Sequence, residues 1–216
     1  TNVRADISVQ GPQILAMDIS ANADDAKLVA VQKTIGKGLQ TLDVTSNNVG
    51  KILQALDMTD TVVGGDLSIH GKSTPEKPDL IEGRMWLKKF TLVKAPVLAR
   101  LINALSPVGL LELLNNNGLN FDSMISDITL QKRGATIKLS DGKLTGSSLG
   151  MTFNGYVYRT TGNISLKGTI VPMEGINKFA SKIPIIGQIL TGLKGEGILA
   201  ATYSIKGPTS DPTVSV

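Results

Sequence analysis

The chain has no cysteine, which removes disulfides and thiolate metal sites together and leaves the fold to burial and hydrogen bonding. Aromatic residues make up only 4% of it, and they do not interleave with basic residues as a single-strand nucleic-acid platform requires. It holds one histidine, His70, so a metal centre would have to do without a second imidazole or any thiolate. Long hydrophobic runs are missing too. The most apolar stretch, Ile183 to Leu190, is broken by Pro184 and Gly187 and falls far short of the roughly 20 residues that span a bilayer. Charge of one sign is also lacking: 22 basic against 18 acidic residues leave +4, spread along the chain without a basic block. That suits an anionic membrane surface and argues against nucleic acid.

What is present is aliphatic. Hydrophobic residues reach 41% of 216, mostly Leu, Ile, Val and Ala, enough to bury a core without staples. The commonest pattern is a short alternation of apolar and polar residues closed by Gly, Asn, Asp or Pro, which predicts half-buried antiparallel strands. Gly64 to Gly71 puts Leu67 and Ile69 on one face and Asp66, Ser68 and His70 on the other. Arg84 to Lys94 changes phase at Lys88 and Lys89, where a β-bulge is expected. From Thr136 to Val171 a meander is predicted, with a hairpin turn at Asp141-Gly142, another at Thr160 to Asn163, and Gly155 and Gly168 inside strands where another backbone comes close. Thr1 to Asp43 supports only further strands. Lys72 to Pro78 reads as a surface loop.

Three segments change to helical spacing: Ser46 to Met58 behind a Ser46 or Asn47 cap, Pro96 to Leu105 with Val108 to Leu114 beyond it, and Glu174 to Leu193, split by Pro184. Helices this short must lie against a sheet. With no linker or fixed-period repeat, residues 1–216 read as a single domain. The fold class expected is mainly β with short amphipathic helices, a curved antiparallel sheet, U-shaped and groove-like, covered or capped by helices. The chain opens at Thr1 without a signal-peptide pattern and is read as a fragment of a longer protein.

Catalytic motifs fail on context. Gly146-Ser147-Ser148-Leu149-Gly150 fits a nucleophile elbow, but Ser148 opens a strand, no helix pattern follows, and His70 precedes it. Gly65 and Gly71-Lys72-Ser73 have the wrong spacing for a phosphate loop. Gly195, Gly197 and Ala200 follow a helix and precede a strand, which inverts the dinucleotide order. Asp122 and Asp127, five apart, are not placed side by side by a helix or a strand. His70 reads as a solvated residue on the polar side of its strand. No catalytic residue, metal ligand or cofactor is expected, and the chain reads as a non-enzyme; a hydrolase using Ser148 is the remote alternative.

Two stretches go beyond generic β chemistry. Phe90-Thr91-Leu92-Val93-Lys94-Ala95-Pro96-Val97-Leu98-Ala99-Arg100-Leu101 resembles the strand, Ala-Pro, apolar-helix element of AsmA-like C-terminal regions. Gly168 to Pro172, Ile183-Pro184-Ile185-Ile186-Gly187, Leu190, Gly195-Glu196-Gly197, Lys206-Gly207-Pro208 and Asp211-Pro212 resemble, in order, that family's closing pattern. Ser46 to Leu67 is similar to the segment that precedes it, so the resemblance covers roughly residues 46–216. It implies relatives among the TamB-like and bridge-like lipid transfer proteins, and a periplasmic place in a protein anchored in the inner membrane by an N-terminal helix absent from this chain. It further implies a lipid-binding module that takes part in phospholipid transport between inner and outer membrane and in outer-membrane maintenance, with a phospholipid or other acyl-chain lipid as ligand, membrane proximity, no nucleic acid, and an envelope protein as a further partner.

On that resemblance the groove residues are Met85, Leu87, Phe90, Leu92, Met151, Phe153, Val157, Leu166 and Ile170. Leu98, Leu101, Ile102, Leu110, Leu111 and Leu114 form an apolar helix cover or a membrane-touching tip. Patterning alone favours a closed core in which the same residues pack together, and it is the resemblance that points to an open groove instead. The alternative function is a structural scaffold assisting outer-membrane protein assembly through exposed strand edges or the helix tip.

Overall fold

Alternation with a period of two dictates strands almost throughout, and a computed structural model of the chain shows them. It describes residues 2–10, 13–36, 39–94, 96–105, 118–131, 134–172 and 200–216. In chain order the elements are β1 (Asn2–Gln10), β2 (Gln13–Ala23), β3 (Ala26–Ile35), β4 (Leu39–Ser46), α1 (Val49–Ala55), β5 (Val62–Thr74), β6 (Lys77–Leu92), α2 (Pro96–Leu105), β7 (Leu119–Gln131), β8 (Thr136–Gly146), β9 (Leu149–Tyr158), β10 (Asn163–Pro172), β11 (Ala201–Pro208) and β12 (Thr213–Ser215). The twelve strands form one antiparallel sheet in which every strand pairs with its neighbours in sequence. The sheet does not close, so β1 and β12 are its edges.

The two described helices start near the expected cap and at the expected proline. Asn48 is the N-cap of α1, its side chain accepting from the Lys51 amide at 3.1 Å, while Ser46 Oγ accepts from the Asn48 amide. The helix therefore begins two residues later than a Ser46 cap predicts. Proline opens α2, where a missing amide costs nothing. Among the described residues no helix is long and apolar enough to cross a membrane.

Three local expectations are corrected. Asp141-Gly142 is not the hairpin turn; it lies inside β8, where the register against β9 shifts between Leu139 and Gly142. A left-handed Asp141 (φ 49°) followed by glycine serves a bulge as well as a turn, and Asn154 Oδ1 accepts from the Asp141 amide at 2.9 Å to hold it. The turn falls instead on Ser147-Ser148, between Gly146 and Leu149. The phase change at Lys88 and Lys89 involves no extra residue, because pairing with β5 and β7 keeps one register across it. Lys89 takes φ 55° beside Gly64 and Gly65, both also at positive φ, and this turns Leu87 and Phe90, three residues apart, to the same side. Finally, Lys72 to Pro78 is not a loop: β5 runs to Thr74 and β6 starts at Lys77, leaving a tight turn.

The main core joins Val49 of α1 and Leu98 and Leu101 of α2 to Leu87, Phe90, Leu119, Phe121, Leu149, Met151, Ile170, Tyr203 and their neighbours on β6 to β11. A smaller cluster seats Ile52 of α1 on Ala21, Ala23 and Ala26. Helix α2 leaves the end of β6 and reaches the far edge, where Arg100 donates to Asp211 Oδ1 and the Pro212 carbonyl, both at 2.8 Å.

Candidate functional site

Antiparallel register carries facing from strand to strand, since directly opposed residues share a side. Following it across the sheet gives one unbroken apolar face. Val3, Ala5 and Ile7 oppose Ala21, Ile19 and Met17; Ala21 and Ile19 oppose Leu28 and Ala30; Ala30 opposes Val44, Val44 opposes Ile69, and Ile69 opposes Met85. From Leu87 the row continues through Met124, Leu144, Met151 and Ile170 to Ala201. No charged side chain falls on this face at any of its register positions. The opposite face carries Arg4, Asp6, Asp18, Lys33, Asp43, His70, Arg84, Asp127, Lys138 and Lys167 at the alternate positions.

The few polar groups on the apolar side are satisfied locally. Gln32 and Gln40 join side chain to side chain at 3.0 Å, Ser73 Oγ accepts from the Gln40 amide, and Ser126 Oγ donates to the carbonyls of Asp127 and Ser140. Among the described residues no buried side-chain nitrogen or oxygen lacks a partner. Glycines on this side make room for rings. Phe153 lies against Gly142, whose added Cβ would meet three of the ring carbons, and Tyr203 OH passes Gly168 to donate to the Thr152 carbonyl at 2.8 Å. Burial pushes that hydroxyl up to about 12.

The face is covered unevenly. All nine residues predicted to line a groove lie on it, but five of them, Leu87, Phe90, Met151, Phe153 and Ile170, are buried in the main cluster together with Leu98 and Leu101 of α2. Met85, Leu92, Val157 and Leu166 are half-buried. At the other edge Val3, Ile7 and Val9 are 51, 53 and 63% exposed, and Met17, Ile19, Leu28, Ala30, Val44 and Ile69 are half-buried. The reading of Thr1 to Asp43 as further strands leaves this exposed stretch out, although the alternation Val3, Ala5, Ile7, Val9 signals it. The side chain of Ile102, although in α2, and all of Leu110, Leu111 and Leu114 lie outside the described residues, as does Glu174 to Leu193.

The polar face holds one arrangement with a chemical look. His70 Nδ1 lies 2.7 Å from Asp43 Oδ1 and its Nε2 lies 2.9 Å from Ser68 Oγ, with the Trp86 ring centroid 6.0 Å away. Ser68 is in register with Thr45 and Trp86 on both sides, so its neighbouring amides belong to the sheet ladder and offer no preorganised pair for an oxyanion. Ser148 sits in a two-residue hairpin turn, not on a strand-to-helix elbow. Asp127 pairs with Arg84 at 2.6 Å, which holds its carboxyl below the usual carboxylate range, and it forms no dyad with Asp122. Among the described residues no group of three or more His, Cys, Asp or Glu is placed to hold a metal. No family model matches the chain, and no curated protein or solved structure matches it.

Proposed function

We propose that this chain is an AsmA-like module that holds the acyl tails of phospholipids on the apolar face of its sheet, as the periplasmic part of an inner-membrane-anchored protein. In that setting it takes part in lipid transport between inner and outer membrane and in outer-membrane maintenance, without catalysing a reaction. One observation carries the reading: an apolar face with no charged residue at its register positions runs across the described strands, and in its β1 to β5 portion α1 covers Ala21, Ala23 and Ala26 while Val3, Ile7 and Val9 stay exposed. A closed core explains the β6 to β12 portion, where α2 and the strands pack together. It does not explain exposed Val3, Ile7 and Val9, which an ordinary sheet would exchange for polar residues on a solvated side.

Each methylene withdrawn from water onto such a surface gains about 0.8 kcal/mol, so tails can be held without specific contacts. The groove therefore belongs to Ile7, Ile19, Leu28, Val44 and Ile69, with Met85 kept from the nine residues expected, more than to the other eight. A bent sheet is favoured by the reach of α2: six strand steps span about 29 Å when flat, whereas ten helical residues span about 15 Å.

Native mass spectrometry of the gently purified chain tests the proposal. Bound phospholipid is expected, its loss should lower the melting temperature, and re-addition should restore it. Ile7→Asp and Ile69→Asp should each reduce the bound fraction. A delipidated chain whose melting is unmoved by phospholipid refutes the reading.

A second reading, a scaffold for outer-membrane protein assembly, is favoured by the nine-residue β1 edge, whose unpaired side can accept a strand. It predicts that crosslinks from β1 capture a β-rich protein and that lipid is absent.

A further inference from the structure

The outer, polar face is charge-polarised along the sheet. On β1 to β5 this face balances Asp6, Asp18, Asp43 and Asp66 against Arg4, Lys27, Lys33 and Lys72. In Thr136–Pro172 and Ala200–Val216 the acids are only Asp141 and Asp211, and Asp211 is held by Arg100. Against them stand Lys138, Lys143, Lys167 and Lys206 on β8, β10 and β11.

Register gathers these four on one side. Lys138 opposes Tyr156, Tyr156 opposes Ser165, and Ser165 opposes Lys206; Lys143 and Lys167 lie in the adjoining rows, opposite Thr152 and Asn154. Tyr156 and Tyr158 stack at 5.9 Å and 17° and are 37 and 38% exposed. Among the described residues the cations paired with carboxylates lie elsewhere: Arg4, Lys51, Arg84, Lys94 and Arg100. Among the described residues the four lysines of this patch have no ion pair and no side-chain hydrogen bond.

We propose that this patch, Lys138, Lys143, Lys167 and Lys206 around Tyr156 and Tyr158, docks the outer face of the sheet on an anionic lipid bilayer. Uncompensated cations spaced over three or four strands match a plane of phosphate headgroups better than a single small anion, which needs a pocket. Lysine and tyrosine together are the composition of the membrane interface, a flexible cation beside an amphipathic ring. A nucleic-acid strand fits less well. The two rings are spent on each other instead of standing open to stack bases. The forked guanidinium that favours phosphate recognition is represented only by Arg159, which donates to the Gly134 carbonyl. The proposal is independent of acyl holding, because docking uses the face opposite to the apolar one.

Co-sedimentation of the full chain with phosphatidylcholine vesicles, with and without phosphatidylglycerol, tests it. Binding should require phosphatidylglycerol and weaken as salt rises. At about fivefold per lysine near an anionic surface, K138Q/K143Q/K167Q/K206Q should lose about 600-fold. Y156S/Y158S should lose severalfold. The control K27Q/K33Q/K72Q, on the outer face of β3 and β5, should bind as the unsubstituted chain does. Unchanged circular dichroism melting certifies each variant as folded. Equal binding to both vesicle types, no binding to either, an unaffected quadruple lysine variant, or an equal loss in the control overturns the proposal, as does tighter binding to a single-stranded oligonucleotide at the same salt. None of these outcomes bears on co-purified lipid, so the acyl-holding reading stands or falls separately.

Discussion

Truncating one apolar side chain at each end of the sheet measures how unevenly its apolar face is covered. Leu101 of α2 is 0% exposed and belongs to the main cluster. Leu101→Ala removes three carbons from a site that β strands and helix enclose, and such deletions cost about 2–5 kcal/mol, the larger values where the cavity cannot collapse. Ile7 of β1 shares the face but is 53% exposed. Ile7→Ala removes as many carbons, yet about half of the area was already in water, so at about 0.8 kcal/mol per buried methylene the cost is about 1 kcal/mol. Urea unfolding of the lipid-free chain, followed by far-ultraviolet circular dichroism, reads both differences from the midpoints at a common slope. Leu101→Ala should shift the midpoint at least twice as far as Ile7→Ala. Equal shifts would show that β1 is packed as tightly as the helix end, and the uncovered face on which the functional reading rests would not exist.

Two further outcomes follow from the same face. The Tyr203 hydroxyl, raised to about 12 by burial, stays protonated in the folded chain where the unfolded chain ionises near pH 10. Its contribution is complete below pH 10 and falls by about 2–3 kcal/mol as pH rises toward 12. Tyr203→Phe should lose that increment of alkaline sensitivity in parallel urea titrations, and an unchanged pH profile would refute it. Gly168→Ala should destabilise by about 1–3 kcal/mol, because an added Cβ meets the Thr152 carbonyl on the neighbouring strand and cannot be relieved by a side-chain rotation; a neutral effect in thermal melting would show that β9 and β10 are not so close.

The strands were legible because a solvated face and an apolar face write themselves as alternation, and the change of period at Pro96 and near Asn48 marked both described helices. Gly155 and Gly168 were read correctly as close approaches, since each faces backbone of the adjoining strand. Asp141-Gly142 misled because the left-handed conformation that suits a hairpin turn also suits a bulge, and only the pairing partner, Asn154, distinguishes them. The phase change at Lys89 was visible while its cause was not, because the compensating glycines lie on β5, over twenty residues earlier. Which part of the apolar face is covered could not be read at all. Alternation tells which side a residue faces; it does not tell whether a helix from elsewhere lies over it, and so Leu87, Phe90 and Ile170 were expected to line an open groove, whereas they are buried in one cluster with Leu98 and Leu101 of α2.

The edges of the sheet extend this asymmetry. β12 has three residues, follows Pro208 and Pro212, and its turn is tied to α2 through Arg100; a further strand there would meet a short ladder already blocked by a helix. β1 has nine residues, no proline, no charge on its apolar side, and a row of backbone donors and acceptors that no described strand pairs. Covering Val3, Ile7 and Val9 and pairing that backbone are separate needs, and the two functional readings divide on which one is met. Acyl chains bury the side chains and leave the amides to water; an added strand pairs the amides and leaves the apolar face open above it. Hydrogen exchange of the β1 amides, with phospholipid and separately with a β-rich protein partner, therefore separates the readings: lipid leaves the outward-pointing amides exchanging freely, whereas strand addition slows them.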